Sequence, residues 1–170
     1  MSFWEQIVLM RYWLFKTEPG CFSFADLQAA HNQTTGWDGV RNFQARNFLR
    51  DEVKRGDLVL FYHSNGNPPS IVGIAEVVEE AHPDPTAFDP AREHFDPRSK
   101  PDAPTWFQVS IRAVKPVDPP LDLSTLRAIP ELAGMELLRK GSRLSIQPVR
   151  EREWATITRR AKLSQFIRKS

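Results

Sequence analysis

The sequence is poor in the residues that form disulfides and metal clusters. Cys21 is the only cysteine among 170 residues, and the four histidines are scattered along the chain. A single cysteine excludes an internal disulfide and a cysteine-rich zinc site, and it fits a reducing compartment. We therefore expect a cytoplasmic protein that uses neither a metal ion nor a cofactor.

Long hydrophobic runs and a strong charge of either sign are also missing. No apolar run approaches the roughly 20 residues that a membrane-spanning helix requires, so we expect no membrane association. The first segment, MSFWEQIVLMRYW, has no basic residues before its apolar run, so we expect no signal peptide. The formal net charge of +2 argues against binding nucleic acid by bulk charge, and any such contact must be local.

Common catalytic motifs are absent as well. The chain contains no GxSxG, no HExxH and no phosphate-binding P-loop. Cys21 and His63, taken alone, are insufficient evidence for a nucleophile with its base. We therefore expect a protein that is not an enzyme.

What is present is a mixture of short strand and helix patterns. The strand patterns lie near 12–17, 58–64, 70–79, 106–114 and 143–149. Helix patterns lie near 23–30, 42–55, 124–129, 131–139 and 150–161. Because the strands are not spaced as regular βαβ units, we predict an α+β fold with a small mixed barrel flanked by short helices. Residues 1–9 are expected to be an N-terminal extension, and residues 10–170 a single domain.

A proline-rich segment separates two of these strands. Residues 81–105 contain six of the fourteen prolines, which predicts an irregular insertion over one side of the barrel. The strand after it, WFQVSIRAV, alternates cleanly and is expected to end at the prolines from Pro116 onward. Trp106 falls on the polar face of that strand, where either a neighbouring helix covers it or it lines a cleft.

The stretch GWDGVRNFQARNFLR combines an unusual loop with an amphipathic helix. Asn42 is a favourable helix cap, and Ala45, Phe48, Leu49 and Val53 form one apolar arc, with Phe43 outside it. A basic stripe beside the arc consists of Arg46, Arg50 and Lys54. The stripe is either a solvated face or an edge that contacts phosphates.

The loop before this helix has features of a binding site. Gly36 and Gly39 flank Trp37 and allow sharp turns and the close approach of a ligand. Trp37 itself is either a lid on the core or a wall of a pocket. The free N–H groups of the first helical turn, beside Arg41, would attract an anion or a polar ligand edge.

Polar residues follow two of the predicted strands. Lys16, Thr17 and Glu18 end the first strand, and together they can hydrogen-bond both edges of a planar heterocycle. His63, Ser64 and Asn65 follow a strand that is almost wholly apolar. Each group could also be an ordinary charged turn.

Several of these segments together resemble one family. YWLFKTEP, GWDGVRNFQARNFL, GDLVLFYHS, IVGIAEV, WFQV and LSIQPV occur in the order and at the spacing of the EVE-domain proteins. The resemblance covers about residues 10–158. EVE domains belong to the PUA-like superfamily and are similar to YTH domains, which read a methylated adenine in RNA. The resemblance implies a small barrel with a pocket for a modified base.

The resemblance also implies which residues bind the ligand. By position in the matching segments they are Lys16, Thr17, Glu18, Trp37, Asp38, Arg41, Asn42, His63, Ser64, Asn65, Gln147 and Pro148. YTH pockets use an aromatic cage, in which Trp37 would be one wall and Trp106 a second.

These observations lead to one functional hypothesis and two alternatives. We expect a monomeric module that binds a modified base of RNA or DNA, with the basic stripe on the nucleic-acid backbone. One alternative is an enzyme acting on a small nucleotide-like substrate, with Glu18, Asp38 or His63 as acid or base. The other is a binder of a free nucleotide-like metabolite.

Overall fold

A computed structural model describes residues 10–167, so the expected extension at residues 1–9 lies outside the described residues. The strands are β1 (Tyr12–Thr17), β2 (Thr34–Gly36), β3 (Leu58–His63), β4 (Ser70–Pro83), β5 (Phe107–Asp122) and β6 (Ile146–Val149). The α-helices are α1 (Phe24–Ala29), α2 (Phe43–Asp51), α3 (Leu123–Arg127) and α4 (Glu151–Arg160). None of the helices in this part of the chain is long and apolar enough to cross a membrane.

The six strands form one mixed sheet in the order β2-β5-β4-β3-β1-β6. Strands β1 and β3 pair in parallel, whereas the other neighbours pair antiparallel. Within residues 10–167, β2 and β6 are the two edges, so the sheet is open. The predicted α+β class with mixed strand pairing and short flanking helices is confirmed, but the strands expected to form a small barrel make a sheet that does not close.

The first four residues of β1, Tyr12–Phe15, are apolar and buried because both faces of the sheet are covered there. Trp13 and Phe15 point into the apolar cluster that α2 covers. Tyr12 points to the opposite face, where its ring stacks on Trp154 of α4 with centroids 4.4 Å apart. A strand buried on both faces shows a continuous apolar run instead of alternation.

Helix α2 begins where the sequence predicted but ends earlier. The Asn42 side chain accepts a hydrogen bond from the Ala45 N–H at 2.9 Å, which confirms the cap. The helix ends at Asp51 and not near residue 55, because Asp57 draws the following residues into a turn. The buried Asp57 carboxylate accepts from the Lys54 N–H at 2.9 Å and from Trp13 Nε1 at 2.8 Å.

Two strand predictions were wrong. The segment Thr34–Gly36, which lies outside all the predicted strands, is β2 and pairs with the edge of β5. Strand β5 does not end at Pro116 but continues to Asp122. Pro119 and Pro120 lie between the pairs Ile71–Leu121 and Gly73–Pro116, where the register shifts. A bulge tolerates proline because it leaves residues outside the hydrogen-bond ladder.

The proline-rich insertion is irregular beyond the end of β4 at Pro83. It contains a 3₁₀ turn at Pro85–Phe88 and an isolated bridge between Lys100 and Ala103. Asp84 caps the turn by accepting from the Thr86 N–H at 2.9 Å. The insertion therefore starts from a fixed point beside the sheet.

Candidate functional site

A cavity of about 640 Å³ lies where the end of β1, the segment Gly36–Arg41 and the insertion meet. The residues around it come from distant parts of the chain. They are Lys16, Thr17, Glu18, Cys21, Phe22, Thr35, Gly36, Trp37, Asp38, Gly39, Val40, Arg41, Arg92, Glu93, His94 and Ser145. The structure thus brings together the KTE and GWDGVR segments.

Trp37 belongs both to the core and to the cavity wall. Its side chain is only 7% exposed, and its ring lies 5.4 Å from both the Phe15 and the Phe61 rings. The backbone N–H of Trp37 donates to the Val109 carbonyl at 2.7 Å. The two interpretations of Trp37 in the sequence therefore both hold, and the ring is fixed in place.

The two glycines beside Trp37 permit close packing. A Cβ on Gly36 would lie 2.5 Å from Gln108 Nε2, and one on Gly39 would lie 2.7 Å from His94 Cδ2. Gly39 also has a φ of +76°, a value that residues other than glycine rarely adopt. The backbone at Gly36 and Gly39 therefore lies close to the neighbouring strand and to the insertion, and this packing forms one wall of the cavity.

Arg41 lines the cavity, but its guanidinium holds the insertion. Nη1 pairs with Asp84 Oδ2 at 2.8 Å, and Nη2 donates to the His94 carbonyl at 2.7 Å. Burial raises the pKa of Asp84, but hydrogen bonds from Thr86, Arg41 and the Gly39 N–H outweigh burial and lower it overall. Arg41 thereby positions the wall that carries His94.

Charged groups of both signs surround the cavity. Burial, and then the nearby Asp84, raise the pKa of Asp38, and Arg92, His94 and Arg41 partly oppose this. Burial lowers the pKa of Lys16, with Glu136 acting in the opposite direction. The rim therefore presents hydrogen-bond donors and acceptors to a polar ligand.

Ser64 and Asn65, which follow β3, do not line this cavity, but they hydrogen-bond to two residues that do. The Ser64 N–H donates to the Thr17 carbonyl at 2.9 Å, and Asn65 Nδ2 donates to Glu18 Oε1 at 2.9 Å. His63 lines a separate cavity of about 370 Å³, and its Nε2 accepts from the Phe24 N–H at 3.1 Å. Burial lowers the pKa of His63, although Asp26 partly offsets the effect.

Trp106 is covered by a helix, which was the first of its two alternatives. It is 4% exposed, and Phe43 of α2 stacks on its ring at 4.9 Å. Its Nε1 donates to Asp96 at 2.8 Å, and this bond, with further bonds from Arg98, lowers the pKa of Asp96 to about 2. The structure thus places Trp106 under α2 and not around the cavity of about 640 Å³.

Three further predicted ligand residues lie elsewhere. Asn42 is occupied as the cap of α2. Gln147 is buried opposite Leu14, on the sheet face away from Trp37, and its Nε2 donates to the Leu144 carbonyl at 2.9 Å. Pro148 is exposed on the edge strand β6.

The basic stripe of α2 is partly paired. Arg46 Nη1 donates to the Thr105 carbonyl at 2.8 Å, and Arg50 contacts Asp51 through two hydrogen bonds. Lys54 Nζ lies 3.9 Å from Glu80 Oε1. These local partners reduce the positive field that the stripe offers.

The sequence interpretation missed the contribution of the insertion. Arg92, Glu93 and His94 border the cavity although they lie 55 to 57 residues after Trp37 in the chain. The one available signal was Asp84-Pro85-Thr86, a capping residue followed by proline at the first helical position. That signal predicts an anchored turn but not the part of the molecule it contacts.

Comparison with known proteins identifies the family. The EVE domain model matches residues 11–160. Mouse thymocyte nuclear protein 1 is 40% identical over 163 residues, covering 86% of this chain and 71% of the mouse protein. A Pseudomonas syringae protein is 42% identical with a TM-score of 0.84, covering 88% of this chain and 99% of that one. Human THYN1, in complex with DNA that contains 5-methylcytosine, is 39% identical with a TM-score of 0.83 and covers 89% of this chain and 98% of its own. The chain therefore belongs to the EVE domain family.

Proposed function

We propose that this protein binds a modified base of a nucleic acid in the cavity, with DNA as the first candidate. The observation that carries the proposal is Trp37, whose ring belongs to the core and also lines the cavity. Every base has a π-face that can stack on such a ring. The human relative in complex with DNA containing 5-methylcytosine supports the proposal.

The cavity has a suitable size and chemistry for a base. Its volume of about 640 Å³ falls within the range of about 300–1,000 Å³ that is usual for small-ligand pockets. Lys16 and Thr17 supply donors, whereas Glu18 and Asp38 supply acceptors. Such a set can recognise the hydrogen-bonding edge of a base while an aromatic wall holds its face.

A methylated cytosine matches these groups particularly well. Its exocyclic amino group donates hydrogen bonds, and carboxylates such as Glu18 or Asp38 are its usual acceptors. Lys16 could donate to the carbonyl oxygen of the same base. Phe22 and Val40 also line the cavity and offer apolar contact to the methyl group.

The low net charge bears on which nucleic acid binds best. Flipping a base out of a duplex costs a few kcal/mol, whereas stacking returns about 1–3 kcal/mol. With a formal net charge of +2, phosphate contacts add little beyond local ones. We therefore expect a base that is unpaired or mismatched to bind more tightly than one in a perfect duplex.

Three finer predictions extend this proposal. RNA is the second candidate target, and matched deoxyribose and ribose oligonucleotides will distinguish the two. A monomeric state is checked by sedimentation. The expected cytoplasmic location is checked by microscopy of the tagged chain, since the mouse relative is named a nuclear protein.

The main test compares oligonucleotides that differ only at one base. We expect an unpaired oligonucleotide with 5-methylcytosine to bind more tightly than the same oligonucleotide with cytosine. Asp38→Asn should weaken that binding by about 1 kcal/mol through the loss of one hydrogen bond. Glu131→Gln, an exposed carboxylate change outside the cavity lining, is the matched control and should have no effect.

Other outcomes would favour the alternatives. Binding of a free nucleoside but of no oligonucleotide would indicate a metabolite binder. Chemical conversion of the nucleoside, detected by mass spectrometry after incubation, would indicate an enzyme. Equal affinity for the methylated and unmethylated oligonucleotides would contradict the recognition of a modified base.

A further inference from the structure

An exposed aromatic ring lies next to the cavity segment. Among the described residues, Phe43 is the most exposed of the large apolar side chains, at 59%. It is the first residue of α2 and follows Arg41, which lines the cavity, by two positions. Because most of the ring remains in water, its own burial stabilises the fold little beyond the cover that it gives Trp106.

The ring is held in a fixed orientation. It stacks on the buried Trp106 indole with centroids 4.9 Å apart and an angle of 28° between the planes. Trp106 is fixed in turn, because its Nε1 donates to Asp96 Oδ2 at 2.8 Å. Phe43 is therefore an ordered flat surface, and a ligand that contacts it loses little side-chain entropy.

A cation lies against the same pair of rings. The Arg46 guanidinium carbon is 5.0 Å from the Phe43 centroid and 5.9 Å from the Trp106 ring. Its Nε donates to Asn47 Oδ1 and its Nη1 to the Thr105 carbonyl, and these bonds orient the group. Nη2 carries two further N–H donors of a geometry that suits a phosphate.

We propose that Phe43 is a second stacking platform, which receives the base of a nucleotide flanking the one in the cavity, while Arg46 contacts the phosphate of that nucleotide. This inference rests on the proposed function. An aromatic face beside an arginine is the combination that binds single strands without sequence preference. The platform therefore adds affinity for a strand, whereas the cavity selects the base.

The surroundings of the ring favour a nucleotide over a protein partner. Its helical neighbours Gln44, Asn47 and Arg50 are all exposed, so the apolar surface is limited to a single ring. A protein interface has a wider apolar centre, with several large side chains buried together. One planar base covers one phenyl ring, and the positive charge of Arg46 complements its phosphate.

Arg41 connects the platform to the cavity. It lines the cavity, and its guanidinium carbon lies 5.3 Å from the Trp106 ring on which Phe43 stacks. A strand that leaves the cavity past Arg41 therefore reaches the platform within a short distance. The base on Phe43 therefore belongs to a nucleotide that flanks the modified nucleotide on one side of it and not on the other.

The test uses short unpaired DNA oligonucleotides that contain a single 5-methylcytosine, and the corresponding free nucleoside. We expect Phe43→Ala to weaken oligonucleotide binding by about 5- to 150-fold, the range for one base on one aromatic side chain, and to leave nucleoside binding unchanged. Phe43→Tyr keeps the aromatic face and should bind within about two-fold of the unmutated protein. Phe43→Leu should lose affinity as Phe43→Ala does, because leucine has no π-face.

Truncating the oligonucleotide gives a second readout. Removing the nucleotides on one side of the 5-methylcytosine should abolish the difference between the unmutated protein and Phe43→Ala. Removing those on the other side should preserve it. Phe43→Leu keeps an apolar side chain over Trp106. A thermal melt of that variant therefore shows whether weaker binding comes from a less stable fold or from the missing aromatic face. Val114→Ala, a change of another exposed apolar residue, is the control and should bind normally.

Distinct outcomes separate this inference from the proposed function. If the unmutated protein binds neither the nucleoside nor the oligonucleotide, both fail together. If it binds them and Phe43→Ala binds every oligonucleotide equally well, only the platform is overturned. Full affinity of Phe43→Leu, or an equal loss of nucleoside binding in Phe43→Ala, would also overturn it.

Discussion

The segment Gly36–Arg41 and helix α2 differ in how they use the same kind of residue. Both contain an arginine followed by an asparagine, at Arg41 and again at Arg46. In the first region the guanidinium pairs with the buried Asp84 carboxylate and holds the insertion in position. In the second the guanidinium lies against the exposed Phe43 ring. Similar local sequences thus place one arginine in the scaffold and leave the other near solvent.

The contrast shows why basic residues alone do not identify a binding surface. The sequence interpretation assigned Arg41 to ligand binding and Arg46 to a phosphate-contacting edge. Arg41 lies at the cavity but uses its hydrogen bonds to position His94 and Asp84. What a cation can offer to a ligand depends on whether its donors already have partners.

The largest expected effect lies in the cavity segment, at Trp37. Because the ring packs on Phe15 and Phe61 in the core, Trp37→Ala should lower the free energy of unfolding by about 3–5 kcal/mol. It should also remove about 1–3 kcal/mol of base-stacking energy, measured by titration under conditions where the variant stays folded. Trp37→Phe keeps an aromatic face and should lose clearly less of both. A Trp37→Ala variant with unchanged unfolding in urea would show that the ring is not part of the core.

The next effect concerns the pair that holds the insertion. Asp84→Asn leaves Arg41 without its charge partner, and breaking a buried ion pair costs about 3–5 kcal/mol. We expect the lower end of that range, because the Arg41 side chain is 21% exposed. The same pair makes stability depend on pH. The lowered pKa of Asp84 stabilises the fold above its ordinary value of 3.8, and this stabilisation is lost as the pH falls through the lowered value.

Thermal melts at a series of pH values will check this prediction. Asp96, whose pKa is lowered to about 2, acts in the same direction, so stability should fall between about pH 4 and about pH 2. Asp84→Asn should show a smaller fall over that range than the unmutated protein. If the two curves are parallel, Asp84 does not contribute the acid sensitivity.

The smallest effect is expected at Arg50 on α2. Arg50 pairs with its exposed neighbour Asp51, so Arg50→Gln should leave the thermal melt and nucleoside binding unchanged. If Arg50 contacts a phosphate, Arg50→Gln should reduce the slope of log affinity against log salt concentration by about one. Arg159→Gln on α4 is a control of equal charge change. A larger loss for Arg50→Gln than for Trp37→Ala would indicate binding by charge instead of a base cavity.

The predictions from sequence succeeded where neighbouring residues decide the structure. The cap at Asn42 and the apolar positions Ala45 and Leu49 follow from helical periodicity. The alternation of Val109, Ile111 and Ala113 follows from the pleat of a strand. They were wrong at Thr34–Gly36 and beyond Pro116, because pairing with β5 and a bulge against β4 stabilise these segments as strands.

By itself, the sequence determined the fold class, the family and the two segments that meet at the cavity, since these depend on local periodicity and on ordered motifs. Only the tertiary structure decided what closes that cavity and what each polar group does there. Arg41 and Asp84 are 43 residues apart, and Glu18 and Asn65 are 47 apart. Contacts over such separations leave no periodic pattern in the chain. They form because folding brings the insertion and the strand ends together, where burial makes each charged or polar group depend on its partner.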